Sequence, residues 1–363
     1  MSSAAKSTVT VQQTRLAYAD TIGHEHFRGK LLGLGPLLHR LDNFGGAAAE
    51  NAISKKVAMA ALEHLEVFSP IQHGDVVRLE GELVNIGRSS LTVQVTGYRH
   101  DITTREFVHA LDAVMTAVAL DEDNRPYRGL PELVDPDNSD ANRINRLQEI
   151  AQQRKDTSMR LKRVEEAVDQ LPNVSLEMLD ETSRGGEWSE EVSVQDTIVA
   201  LSTSFLPRHL NRNGTVFGGE ILSWMDKTAL YCGRTFTGNS NMVTVSAKRV
   251  YFLLPITTDD VATMEARICG IRGHYVDVQV EAILQQFGSQ ERRKSHTGYF
   301  AVANLDASEH VAWVTRGLAA TEKDQDGLRT LLKAQHRRQL GEEVLEQLQL
   351  QPLALSPIAG SHL

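Results

Sequence analysis

Asn211-Arg212-Asn213-Gly214-Thr215-Val216-Phe217-Gly218-Gly219-Glu220-Ile221-Leu222-Ser223-Trp224-Met225-Asp226 is the stretch on which the reading of this 363-residue chain turns. It begins as a polar, glycine-bearing loop and becomes a helix at the double glycine, because Ile221, Leu222, Met225 and Ala229 recur at helical spacing. Two glycines at a helix entry let a ligand approach the backbone closely. The open N–H groups of the first turn, at the positive end of the helix dipole, favour a developing negative charge. Asp226 follows Gly218 by eight residues, about 12 Å along the helix at 1.5 Å per residue. One helix therefore cannot present its own first amide and its own carboxylate to the same atom.

A second helix answers this need, because the chain repeats itself. A shift of 185 residues aligns Pro70-Ile71 with Pro255-Ile256, Asp75-Val76 with Asp260-Val261, Glu80 with Glu265, Ile86 with Ile271 and Val93-Gln94-Val95 with Val278-Gln279-Val280. That is nine identities in 26 positions, where ordinary composition gives about two. With a one-residue gap, Gly35 to Asp42 falls on Gly219 to Asp226, and Leu120-Asp121 falls on Leu305-Asp306. The early helix carries its own apolar stripe of Leu37, Leu38, Leu41, Phe44 and Ala48, with Pro36 at the first helical position.

After each helix the period changes to two. Leu91, Val93 and Val95 alternate with Thr92, Gln94 and Thr96; Val276, Val278 and Val280 alternate with Asp277, Gln279 and Glu281. Gly87-Arg88-Ser89 and Arg272-Gly273-His274 interrupt paired runs as hairpin turns. Each unit thus reads as a strand, a helix and about four antiparallel strands, an α+β layer architecture. The divisions are a first unit at 1–126, a charged helical linker at 127–190, a second unit at 191–310 and a helical extension at 311–363. In the linker, 142–170 reads as a surface-packed helix with Ile144, Leu147, Ile150, Val164 and Val168 on its apolar side; 326–348 is a second charged helix with a frayed end after it.

The stretch at 211–226 resembles the signature of hotdog-fold acyl-CoA thioesterases: Asn-x-x-Gly-x-x-(Phe/His)-Gly-Gly, followed by a helix that bears a carboxylate. The repeat is similar to that of the double-hotdog members. The degenerate first half, Leu37-Leu38-His39-Arg40-Leu41-Asp42 with Leu111-Asp112-Ala113-Val114, is most similar to the mitochondrial acyl-CoA thioesterase 9-like branch. The resemblance covers roughly 25–125 and 190–306. It implies a tandem hotdog, each unit an antiparallel sheet wrapped on one central helix, and hydrolysis of acyl-CoA to fatty acid and coenzyme A at a site shared between units.

Within that frame Gly218 is the candidate oxyanion donor, Asn211 orients water or thioester, and Asp42 is general base or direct nucleophile. Asp226 holds the matching place in the second copy, but eight residues before Gly35 stands Phe27 where Gly219 has Asn211, so one composite site is complete and the other is not. Arg88, Ser89, Ser90, Lys248, Arg249 and Arg272 are candidates for the coenzyme A phosphates, by charge and by resemblance; a solvated basic surface is the alternative. No cofactor is expected beyond the coenzyme A of the substrate, and a homo-oligomer, a trimer of double units, is expected from the family. A non-catalytic acyl-CoA-binding scaffold is the alternative from another class, and His39, three residues before Asp42, keeps a dehydratase reading open.

Composition narrows the field. The formal net charge of −9 provides no global positive field for nucleic acid or an anionic membrane, and no apolar run approaches the roughly 20 residues of a membrane span. Two cysteines, Cys232 and Cys269, suit a reducing compartment. His24-Glu25-His26 would set two imidazoles on one face of a strand, without an evident third metal ligand, so no metal is expected. No Gly-x-Ser-x-Gly elbow, complete dinucleotide fingerprint or P-loop occurs. The first 19 residues lack Asp and Glu and carry six Ser or Thr, compatible with a mitochondrial transit segment; Thr8-Val9-Thr10-Val11 reads equally as an ordered strand of a cytoplasmic protein.

Overall fold

The apolar stripes of the two helices are buried throughout: Leu37, Leu38, Leu41, Phe44, Ala48, Ile221, Leu222, Met225 and Ala229 are each at most 5% exposed. A computed structural model of the chain describes residues 7–136, 142–180, 188–345 and 350–357. The chain opens with β1 (Thr8–Thr10) and one helical turn, α1 (Val11–Thr14), so the expected early strand ends one residue sooner than its β-branched run. The first unit then runs β2 (Leu16–Thr21), α2 (Leu34–Ile53), β3 (Val57–Val67), β4 (Val76–Ile86), β5 (Ser90–Asp101) and β6 (Glu106–Ala119). After β7 (Glu132–Val134), α3 (Arg143–Gln170) and β8 (Glu190–Ser193), the second unit repeats the order with β9 (Val199–Ser204), α4 (Gly218–Thr237), β10 (Met242–Phe252), β11 (Asp260–Arg272), β12 (Tyr275–Gln286) and β13 (Arg292–Asn304). β14 (Arg316–Ala319) and α5 (Gln325–Leu345) follow.

The ten strands of the two units form one antiparallel sheet in the order β2-β4-β5-β6-β3-β10-β13-β12-β11-β9. Its halves join at β3 and β10, where Glu66 pairs with Ser246 and Ala61 with Tyr251. α2 and α4 pack together on the inner face, and the expected tandem hotdog is the observed fold. They run antiparallel: a Cβ built on Gly219 at the start of α4 would lie 2.9 Å from the His39 Cα, and one on Gly35 at the start of α2 would lie 2.8 Å from the Ser223 Oγ. His39 and Ser223 are equivalent positions of the repeat, so the contact is two-fold in kind.

Several expectations shift. Pro36 is the third residue of α2, still within the turn whose N–H groups have no helical acceptor. His24-Glu25-His26 enters a 3-10 turn, Glu25–Phe27, rather than a strand, and the His24 and His26 rings lie 4.9 Å apart. β7 pairs in parallel with β1, which brings 132–134 from the linker into the first unit, and β14 pairs with β8, which ties the extension to the start of the second unit. The alternation in β5 has the predicted inward face of Leu91, Val93 and Val95, yet Thr92, Gln94 and Thr96 are also buried.

The cause of that burial is a covering layer from elsewhere in the chain. α3 lies on β4 with Leu147, Leu161 and Val168 buried, and residues 350–357, expected to fray, cross the same face. Leu353 N–H donates to Thr96 at 3.0 Å, Gln94 donates to the Gln351 carbonyl at 2.6 Å, and Ser356 donates to Glu80 at 2.8 Å. Buried Glu80 and Glu82 are paired with Arg15, Arg78 and Arg143, so neither is left as an uncompensated buried charge. The segment 346–348 of the expected C-terminal helix lies outside the described residues.

The helix contact makes a signed prediction. Gly219→Ala sets a methyl against the His39 backbone and destabilises by roughly 1–3 kcal/mol. Gly46→Ala, in the middle of α2 with nothing within 4 Å of the added Cβ, stabilises by about 1 kcal/mol through helix propensity. Thermal denaturation checks both: the melting temperature falls in the first variant and rises in the second.

Candidate active site

The loop before α4 is folded by its own asparagine. Asn211 Oδ1 accepts from Asn213 N–H at 2.8 Å and Thr215 N–H at 3.3 Å, and Asn211 Nδ2 donates to Thr215 Oγ1 at 3.0 Å. Gly214 takes φ +76° in this turn, a conformation in which a side chain is strained. Val216 N–H donates to the Ile256 carbonyl at 2.8 Å, fixing the loop against the connection between β10 and β11 before the double glycine starts the helix.

At that start the second unit meets the carboxylate of the first. Gly219 N–H donates to Asp42 Oδ2 at 2.8 Å, and a Cβ on Gly218 would stand 2.9 and 3.0 Å from the two Asp42 oxygens, so glycine is required there by space. The amide that holds Asp42 is therefore that of Gly219, the residue after the expected oxyanion donor Gly218. Gly218 N–H has no acceptor among the described residues and remains open, as an oxyanion donor must.

Asp42 is buried, and burial raises its pKa to about 7 against the downward pull of the Gly219 amide. Its Oδ1 is also buried and has no hydrogen-bond partner among the described residues. Asp42, Asn211 and Gly218 line one cavity of about 700 Å3, with Gly46, Met59 and Leu254 among its other walls. That size suits a small-molecule ligand.

The reciprocal contact is present at the other end. Gly35 N–H donates to Asp226 Oδ2 at 2.9 Å, and burial raises the Asp226 pKa to about 6, offset by the neighbouring Thr244 hydroxyl, the Gly35 amide and Arg234. Here, however, the position matching Gly218 is Leu34, buried, and the position matching Asn211 is Phe27, exposed. Asp226 Oδ1, like Asp42 Oδ1, is buried without a partner among the described residues, so the two ends differ in these loop residues rather than in the carboxylate.

The other candidates lie elsewhere. Arg88, Ser89 and Ser90 form the β4–β5 turn, closed by a 2.7 Å bond from Gly87 N–H to the Ser90 carbonyl, and do not line the Asp42 cavity. Lys248, Arg249 and Arg272 line a different cavity on the outer face of the sheet. Charge alone could not separate these two faces. His39, in contrast, lines the Asp42 cavity, where it lies 3.8 Å from Glu220 and packs edge-on against Phe217.

Sequence reasoning missed His296. It lines the Asp42 cavity, is 1% exposed, packs on Phe252 at 4.9 Å between centroids and is held neutral by burial, with its pKa lowered to about 3. The signal was available in the repeat: Ser295-His296 falls on Ala110-Leu111, a polar pair where the other copy is apolar.

Comparison with known proteins bears on the same segments. The family model of the thioesterase superfamily matches residues 16–106 and 213–286. An uncharacterized acyl-CoA thioester hydrolase of Zymomonas mobilis is 36% identical over 104 residues, which are 28% of this chain and 68% of that protein. Acyl-coenzyme A thioesterase 11 of Mus musculus is 22% identical over 289 residues, 79% of this chain and 46% of that protein, so the chain spans about half of that relative's length. A solved structure of an acyl-CoA hydrolase variant from Staphylococcus aureus with coenzyme A aligns with a TM-score of 0.41 and 18% identity, over 46% of this chain and 99% of that one.

The buried carboxyl has a stability signature. Asp42 keeps its proton in the fold up to about pH 7, whereas the unfolded chain loses it near 3.8. The fold is therefore penalised progressively as pH rises from about 4 to 7, and by a constant amount above that, at most of the order of 4 kcal/mol. Asp42→Asn removes this penalty while still accepting from Gly219. Its melting temperature should exceed that of the parent at pH 8, with the gap closing toward pH 4; a gap independent of pH contradicts the assignment.

Proposed function

The chain belongs to the thioesterase superfamily, and from that premise we propose that it hydrolyses acyl-CoA thioesters to a free carboxylic acid and coenzyme A in the cavity between its two units. The observation that carries this reading is the meeting of Asp42 from the first copy with the Gly218-Gly219 helix entry of the second. Asp42 Oδ2 is pinned by Gly219, and Oδ1, buried with its hydrogen-bonding capacity unspent, is the oxygen that must be uncovered for a water to bind. A carboxylate with a pKa near 7 is well matched to take a proton from that water at neutral pH.

The water oxygen then attacks the acyl carbonyl carbon. The carbonyl oxygen gains negative charge beside the open Gly218 N–H at the positive end of α4. Asn211 Nδ2 spends one hydrogen on Thr215 and keeps a second to orient water or thioester. The tetrahedral intermediate collapses as the carbon–sulfur bond breaks; coenzyme A thiolate leaves, and the proton held by Asp42 is available to neutralise it.

One competent site per chain follows from Phe27 and Leu34 in place of a second Asn and Gly. The family resemblance further supports assembly of the double unit into a homo-oligomer, a trimer in its finer form, and the acid-poor first 19 residues support a mitochondrial location. Release of thiol from a panel of acyl-CoAs tests the reaction. Asp42→Asn should lower turnover by about 10² or more and Asp226→Asn by clearly less, and kcat/KM of the parent should rise with pH to a plateau with a midpoint near 7. Equal losses from the two aspartates would contradict the single-site reading.

A further inference from the structure

The outer face of the sheet holds a second cavity, about 630 Å3, whose roof is built from α3, α5 and residues 350 and 352, all outside the two repeated units. Its charged lining is six cations against four carboxylates: Arg154, Lys248, Arg249, Arg272, Arg337 and Arg338 against Glu63, Glu66, Asp112 and Asp277. Each carboxylate already has a partner. Asp277 takes both arms of Arg272 at 2.7 and 2.8 Å, Glu66 meets His64 at 3.3 Å, Asp112 meets His109 at 3.1 Å and Glu63 meets Arg154 at 3.9 Å.

Three cationic groups keep unused donors. Lys248 and Arg249 are partly buried, and their side chains make no hydrogen bond or ion pair with any described residue. In a regular strand two consecutive side chains would face opposite sides of the sheet. Here the pairing of β10 with β13 slips between Lys248 and Tyr251, and Arg249 adopts φ +53°, so both side chains line the same cavity. Arg337 of α5 stacks on Tyr299 at 4.0 Å and spends Nη1 on Glu165 at 2.6 Å; its Nη2 is buried without an acceptor among the described residues, in a side chain 9% exposed.

A buried donor without an acceptor, here Arg337 Nη2, is costly unless an anion completes it, and the unspent charges of Lys248 and Arg249 stand in the same cavity. Three groups arriving from a strand and a helix suit a tetrahedral anion with several oxygens better than a planar carboxylate with two. We propose that this cavity binds a small phosphate-bearing molecule, held through its phosphate by Lys248, Arg249 and Arg337, on the face of the sheet opposite Asp42. The proposal uses no part of the hydrolase reading.

Isothermal titration of the full chain with inorganic pyrophosphate tests it. The parent should show saturable binding, and Lys248→Met and Arg249→Met, made singly and together, should weaken it, the double variant by about tenfold or more. Melting temperatures near that of the parent establish that the variants are folded; if only one single variant folds, its own weakened binding carries the test. Absence of saturable binding up to about 10 mM, unchanged affinity in a folded variant, or equal binding of succinate overturns the proposal. Displacement of pyrophosphate by coenzyme A would support the site with the substrate's own phosphates as occupant, and failure to displace would support it with a separate phosphate compound.

Discussion

Each central helix begins with amides that its own backbone cannot satisfy, and each finds an acceptor on the other: Gly219 donates to Asp42 at 2.8 Å and Gly35 donates to Asp226 at 2.9 Å. This exchange sets much of the architecture. It requires the helices to run antiparallel, to approach closely enough that glycine is needed at the contact, and to come from two copies of one unit. The edge-to-edge sheet through β3 and β10 then encloses the pair. A helix entry that offers one amide to a carboxylate and leaves the adjacent one open is also a site prepared for a second negative centre, the oxygen of a thioester carbonyl under attack.

Duplication allowed the two ends of this exchange to diverge. At the Asp42 end the entry keeps Asn211, Gly214 and Gly218, and a cavity opens beside the carboxylate. At the Asp226 end the structural bond persists, but Leu34 and Phe27 stand where the open glycine and the asparagine would be. Both carboxylates are buried with one oxygen unpartnered among the described residues and both carry a desolvation cost, so the two ends differ in the loop that precedes the helix.

The sequence made the fold legible because the repeat doubled every weak signal. The stripe of Leu37, Leu38 and Leu41 became persuasive once it lay on Ile221, Leu222 and Met225. The composite site was legible from the helix rise alone, since Gly218 and Asp226 are too far apart to act together. Finer points depended on features that leave no periodic trace. Whether Gly218 or Gly219 meets Asp42 is decided by the pitch of one helical turn. The burial of Thr92, Gln94 and Thr96 depends on residues 350–357, remote in sequence. Lys248 and Arg249 are candidates for the coenzyme A phosphates by charge and by resemblance, and neither signal foretells that the slip in β10 puts both in the outer cavity.

The most direct measurement is a crystal structure of Asp42→Asn with a slowly hydrolysed acyl-CoA. The account predicts a thioester in the cavity of Asn211, its carbonyl oxygen about 3 Å from Gly218 N and its carbonyl carbon facing residue 42 across one water. A thioester bound only beside Asp226, or with its carbonyl turned away from the α4 entry, would contradict it.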